Sequence, residues 1–335
     1  MRNLMALLIV SLFVSMPIYA DVNIYSARQE NLIKPILDRF TEETDIQVNL
    51  VTGGADALIT RMAREGVNSP ADLLLTVDVG RLHRAKEQDL LSPVSSETLD
   101  NHVPSQYRDS QGYWYAMSLR SRIIVYSKER VDPAALNSYE NLADTNWKGR
   151  ICIRSSSNIY NQSLTASLIR HQGVEETEQW ARGLVANMAR PPQGGDRDQI
   201  RAVVAGQCDI AVVNSYYLAG MLSSAEAEQR EVANQVAVFW PNQDGRGTHI
   251  NISGAGVARH APNRDAAIQL MEFLVNDASQ QWYGKANGEF PIRADVPVSK
   301  VLQSWGSFKA DEIALEQLGI HNAEAVRLMD RAGWR

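Results

Sequence analysis

From Val22 to Thr76 the chain switches repeatedly between two hydrophobic periods, and this alternation narrows its fold more than any other feature. Val22 to Ser26 (VNIYS) reads as a buried strand, and Leu32, Ile33, Ile36, Leu37 and Phe40 follow at helical spacing. Ile46 to Val51 (IQVNLV) alternates like a strand, Leu58, Ile59 and Met62 mark a helix within residues 56–65, and Ala71 to Thr76 (ADLLLT) is strand-like again. Consecutive strands separated by helices pair in parallel, because a parallel connection needs a crossover and the helix supplies it. The expected class is therefore α/β, with a mainly parallel sheet flanked by helices.

The character changes near Leu119. Arg120, Ser121 and Arg122 precede Ile123 to Tyr126 (IIVY), read as a strand crossing out of a first lobe at a hinge. Residues from about 123 to 242 then build a second αβ unit. Asn251 to Val257 (NISGAGV) reads as a return strand, and Ile268, Met271, Leu274 and Val275 place a helix over residues 265–275. Gly284 to Pro291 reads as a loop, after which the remaining helices are expected on the second lobe. The first lobe is thus assigned residues 21–119 and about 247–292, and the second about 120–246 and 293–335.

Two strand-to-helix junctions in the second unit share one plan. Gly149 to Arg154 (GRICIR) reads as a strand, Ser155 to Asn158 as a loop, and Tyr160 opens the next helix. Cys208 to Asn214 (CDIAVVN) leads in the same way to Tyr216 and Tyr217. Loops at such strand ends converge on a ligand crevice in open α/β sheets. Three phenol oxygens there would suit a hard, highly charged cation. A lone tyrosine at a strand end is ordinarily a packing residue with its hydroxyl at the surface, and Tyr25, Tyr113, Tyr115 and Tyr126 carry no pattern beyond that. Cys152 and Cys208 lie one in each strand; in an oxidising compartment they can bridge, and otherwise they are two small buried thiols. Two cysteines cannot build a structural zinc site, and the six scattered histidines, His249 included, show no zinc spacing.

Arg2, an uncharged apolar run from Leu4 to Met16, and Ala20 ahead of Asp21 read as a secretory signal peptide over residues 1–20, with the periplasm as destination. No other segment approaches the ~20 apolar residues a spanning helix needs, so no membrane insertion is expected. The formal net charge of −6, made more negative when Arg2 leaves, provides no basic field to attract nucleic acid. No nucleophile elbow of the G-x-S-x-G type occurs, and Gly53-Gly54 lacks the rest of a phosphate loop.

Five segments, in order, carry a resemblance: VNIYSARQ at Val22 to Gln29, SPADLLLTVD at Ser69 to Asp78, SLRSRIIVYSK at Ser118 to Lys128, CDIAVVNSYY at Cys208 to Tyr217 and GTHINISGAGV at Gly247 to Val257. Over essentially the whole mature chain they resemble the bacterial periplasmic ferric-ion-binding proteins, the substrate-binding components of ABC-type iron importers. The resemblance implies a two-lobed periplasmic-binding-protein fold, type II-like, closing on its ion by hinge motion. It implies Fe³⁺ as transported ligand, an inner-membrane ABC permease and its ATPase as partners, a monomer, and no enzymatic chemistry. The family's paired tyrosine ligands fall on Tyr216 and Tyr217, and a third on Tyr160. Where many relatives carry a histidine, or a histidine and a tyrosine, this chain has Gln29 and Glu30, which become candidates for the remaining positions beside water or an anion. Relatives often hold carbonate or another synergistic anion on an arginine; Arg120 is the first match, then Arg122 and Arg28, with Ser155 nearby.

The chemistry agrees with this assignment. Free tyrosine has a pKa of about 10, so the metal must displace phenol protons to gain phenolate ligands. Three phenolates balance the ion's charge, and an arginine fork can hold a carboxylate-like anion against it. One rival keeps the fold but binds an organic anion, phosphate ester or polyamine; a second is a periplasmic hydrolase. Iron-dependent colour separates the first, and tyrosine-dependent turnover the second.

Overall fold

The computed structural model describes residues 21–335, so the expected leader lies outside the described residues. The alternating start folds as read. β1 (Val22–Ser26) lies between β2 (Val48–Thr52) and β3 (Leu73–Val77), parallel to both. Helices α1 (Lys34–Thr44) and α2 (Ala55–Glu65) make the crossovers, and Pro35 fits the first turn of α1, where a missing N–H costs little. α3 (Val79–Glu87) follows, its Asp78 cap accepting from the Gly80 N–H.

β4 (Tyr115–Ser127) is much longer than the four-residue strand expected at 123–126, and it passes unbroken through Arg120. The rest of the sheet comprises β5 (Ile151–Cys152), β6 (Ile210–Asn214), β7 (Val236–Phe239) and β8 (Ile250–Val257). Its order is β2-β1-β3-β8-β4-β6-β5, with β7 also paired to β4. β8 runs antiparallel to both β3 and β4, and β4 runs antiparallel to β6 and β7. β4 therefore pairs with β8 over its first half and with β6 and β7 over its second, joining the two parts of the sheet. β5 is shorter than the GRICIR run suggests because its pairing with β6 covers only Ile151 and Cys152.

The helices that matter below are α4 (Ile159–Gln172), α5 (Asp196–Val204), α6 (Ser215–Leu222), α7 (Arg264–Val275), α8 (Asp277–Asn287), α9 (Glu316–Ile320) and α10 (Asn322–Arg331). The first core joins Ile24, Phe40, Leu75, Trp114, Ile252 and Met271, and the second joins Ile124, Trp147, Leu164, Trp180 and Val212. Alternation along β4 sends Ile123 and Val125 to a further cluster on the other face of the second lobe, with Cys152, Cys208 and Val213.

Two expectations need correction. α8 continues to Asn287, so the loop begins at Gly288, whose φ of 64° ends the helix and whose missing side chain admits Ala219 of α6. The C-terminal segment from residue 293 onward divides its apolar residues between the cores of both lobes. Ile313, Leu315 and Leu318 complete the first core, while Trp305 packs against the further cluster of the second lobe and Ala325, Leu328, Met329, Ala332 and Trp334 enter the second core. α9 packs on both α3 and α4, with Gly319 so close to His83 that a Cβ would lie 2.3 Å from it.

Candidate metal centre

Cys152 and Cys208 form a disulfide, with Cα atoms 5.8 Å apart, tying β5 to the start of β6. Each cysteine is followed eight residues later by a tyrosine, Tyr160 and Tyr216. Between β5 and α4 the chain makes a tight turn, in which Ser155 O accepts from the Asn158 N–H and Ser155 Oγ from the Ser157 N–H. Asn158 Oδ1 then accepts from the Tyr160 N–H at 3.1 Å, capping α4 and fixing where Tyr160 starts. At the second junction Asn214 occupies the cap position of α6, but its side-chain oxygen accepts from Arg122 instead.

The two junctions bring the phenols together. Tyr216 Oη donates to Tyr160 Oη at 3.1 Å, and the Tyr216 and Tyr217 rings lie 4.3 Å apart. Burial pushes the Tyr216 phenol well above its ordinary pKa, with Tyr160 and Tyr217 adding to the shift against Arg120. Burial raises Tyr217 too, followed by Tyr160 and Asp196. Without a cation, Tyr216 and Tyr217 are therefore neutral phenols at physiological pH. Among the described residues no cluster of three or more His, Cys, Asp or Glu side chains is arranged to hold a metal.

Four guanidinium groups surround the phenols. Arg120 lies 5.6 Å from the Tyr216 ring centre, Arg122 and Arg154 lie 5.9 and 5.6 Å from that of Tyr160, and Arg197 lies 5.3 Å from that of Tyr217. The expected anion ligand Arg120 is only 1% exposed, and its N–H groups donate to Ile252 O, Ser253 Oγ and Glu289. Arg28 is bound to the same Ser253 and Glu289, so the two arginines share one buried acceptor pair behind Tyr216. Burial raises the Glu289 carboxyl, but Arg28 and Arg120 outweigh it and hold the group below the usual carboxylate range. Arg122 is likewise committed, to Asp196, Asn214 and Asn161. Ser155 spends its hydroxyl on the turn.

Gln29 and Glu30 are exposed at the short helical turn after β1. Glu30 lines a surface groove with Lys34 and Asp38 of α1. The structure thus gathers Tyr160, Tyr216 and Tyr217.

A sequence profile of the bacterial extracellular solute-binding proteins matches residues 68–310. Iron uptake protein A1 of Synechocystis is 48% identical over 315 residues, covering 94% of this chain and 88% of the relative. The chain belongs to the bacterial periplasmic ferric-ion-binding proteins. Within this family, the Trichodesmium protein FutA, solved with iron and citrate, superposes with a TM-score of 0.91 at 49% identity, covering 94% of this chain and all of that one. The ferric binding protein of Campylobacter jejuni gives 0.90 at 42% identity, with coverage of 94% and 100%. The ferric-ion-binding family serves iron uptake as substrate-binding proteins, and no helix among the described residues is long and apolar enough to cross a membrane.

Arg154, Asp196 and Arg197 are not legible as neighbours of the tyrosines from the sequence. Arg154 ends the GRICIR run, where a charge closing a buried strand was the available signal. Asp196 follows Gly194-Gly195 at the start of a helix, and an acid there reads as an ordinary first-turn residue.

Proposed function

We propose that the protein captures ferric iron through the phenolates of Tyr160, Tyr216 and Tyr217 in a cleft between its lobes and delivers it to an inner-membrane permease driven by an ATPase. The observation that carries this reading is the convergence of three phenols from two separate strand-to-helix junctions, with Tyr160 Oη and Tyr216 Oη 3.1 Å apart. Neutral phenols that close are poor company for one another once ionised, and a trivalent cation supplies the charge that lets them share a site. Phenolate oxygen is the hard donor that Fe³⁺ prefers over sulfur. The remaining coordination positions fall to water, to Gln29 after closure of the first lobe, or to a carboxylate or carbonate anion. Arg197, exposed and lying over the Tyr217 ring, would hold such an anion, as would Arg120 if closure frees it from Glu289.

The test is a visible-absorption titration of the metal-free protein with ferric citrate. A saturating one-to-one band, lost in Tyr160→Phe and in the double Tyr216→Phe, Tyr217→Phe variant, supports the assignment. A folded protein giving no band refutes it and transfers the site to an organic anion.

A further inference from the structure

The backbone pairing that joins the two junctions stops before the tyrosines. β5 and β6 pair only at Ile151 with Ile210 and at Cys152 with Ala211. Past that point the segments are connected by a buried polar circuit with one carboxylate, Asp196, at its centre. Asp196 Oδ1 accepts from Arg122 Nη1 at 2.6 Å and from the Asn214 N–H at 2.8 Å, and its Oδ2 accepts from Arg154 Nη1 at 2.7 Å. Arg122 Nη2 in turn donates to Asn161 Oδ1 at 2.6 Å, and Asn161 Nδ2 donates to the carbonyls of Arg154 and Ser155. The circuit thus closes on the residue after Tyr160, on the turn before it, and on the residue two before Tyr216. Asp196 is 1% exposed, and Arg122, Asn161 and Asn214 are equally enclosed.

A buried ion network is a costly way to achieve stability, because apolar packing of the same volume serves as well or better. Its position explains it better. Arg122 and Arg154 both pack near the Tyr160 ring, so whatever holds them holds the phenol. We propose that Asp196 is the positioning residue of ferric capture, fixing Tyr160 against Tyr216 and Tyr217 before the ion arrives. The hydrogen bonds of Asp196 go to Arg122, Arg154 and Asn214, and it acts through them. It also offsets the two guanidinium charges beneath a site built for a trivalent cation. The inference rests on the tyrosine reading above.

The experiment compares the ferric affinity and the phenolate-to-iron absorption band of the wild type with those of Asp196→Asn, which keeps the side chain's shape and removes its charge. Groups that orient metal ligands cost about tenfold to a hundredfold in affinity when lost, and that loss is expected here together with a shifted or weakened band. Asp209→Asn is the control. It breaks the ion pairs to Arg130 and Arg150 at the other end of β6 and should leave band and affinity unchanged. If near-ultraviolet circular dichroism shows that Asp196→Asn does not fold, Arg154→Gln removes only the Oδ2 arm, from a side chain 21% exposed, and should lose affinity at the lower end of the same range. A folded Asp196→Asn, or in its place Arg154→Gln, with wild-type band and affinity overturns the inference. A wild type with no band at all overturns the tyrosine reading instead, and the two failures are told apart by that first measurement.

Discussion

The disulfide offers the prediction whose size follows most directly from the structure. Cys152 and Cys208 are 56 residues apart in sequence, and both are buried. Cross-linking a loop of that length removes chain entropy from the unfolded state worth about 4 kcal/mol at 25 °C. The perturbation is the double variant Cys152→Ala, Cys208→Ala; alanine is preferred to serine, whose unpaired buried hydroxyls would each add about 1–3 kcal/mol of unrelated cost. The assay is equilibrium urea denaturation followed by tryptophan fluorescence, since Trp147, Trp180 and Trp334 all lie in the second core. A loss near 4 kcal/mol is expected, with the denaturant slope rising as the unfolded chain expands. A loss below about 1 kcal/mol would refute the entropic argument, since the bridge would then be closing a loop already short in the unfolded state. Because β5 and β6 remain paired, the folded variant should still give the iron band.

Other expectations can be checked with the same protein. Tyr217→Phe should weaken ferric affinity more than about a hundredfold, beyond the cost of losing a mere supporting group, whereas Tyr126→Phe on β4 should leave it within about twofold in equilibrium competition against a chelator. Ferric binding displaces the protons that burial keeps on Tyr216 and Tyr217, so at constant free ferric activity the affinity should fall about tenfold per displaced proton for each pH unit of acidification. A flat profile from pH 7 to 6 would speak against phenolate ligation. His249 bears on stability: burial, then Arg122, Arg246 and His171, hold its pKa down at about 3. Its unfolded form takes up a proton near pH 6.5 that the folded form refuses, so stability is fully present above that pH and is lost toward pH 3 at about 1.4 kcal/mol per pH unit. His249→Gln should flatten that slope in denaturation curves at pH 7, 6 and 5; an unchanged slope would mean the imidazole is already charged in the fold.

The parts legible in the sequence are those governed by short-range pattern. The start from Val22 to Thr76 shows its period within a few residues, and Tyr160, Tyr216 and Tyr217 stand out because a buried run ends just before them. Partnership over long separations leaves no such trace. Arg120 looked available for an anion, but the Glu289 that occupies it lies 169 residues further on. Asp196 could not be tied to Arg122, 74 residues away, without knowing that β4 pairs with β6 so that Arg122 lies opposite Asn214. The C-terminal helices failed for a related reason. Apolar spacing at Leu315 and Leu318 marks a face to be buried and does not say which core will cover it.

The place of β8 in the sheet also governs the order in which the molecule can be made. β3 and β4 lie 38 residues apart from the end of one to the start of the other, yet they are not neighbours, because Ile250–Val257 is inserted between them and pairs with both. The first sheet therefore stays open until most of the chain has been synthesised, and its closing contacts span well over a hundred residues. Such high contact order slows folding. The amino-terminal lobe cannot complete its sheet until β8 is made, which delays its closure in a protein of a family whose work is done on the far side of a membrane.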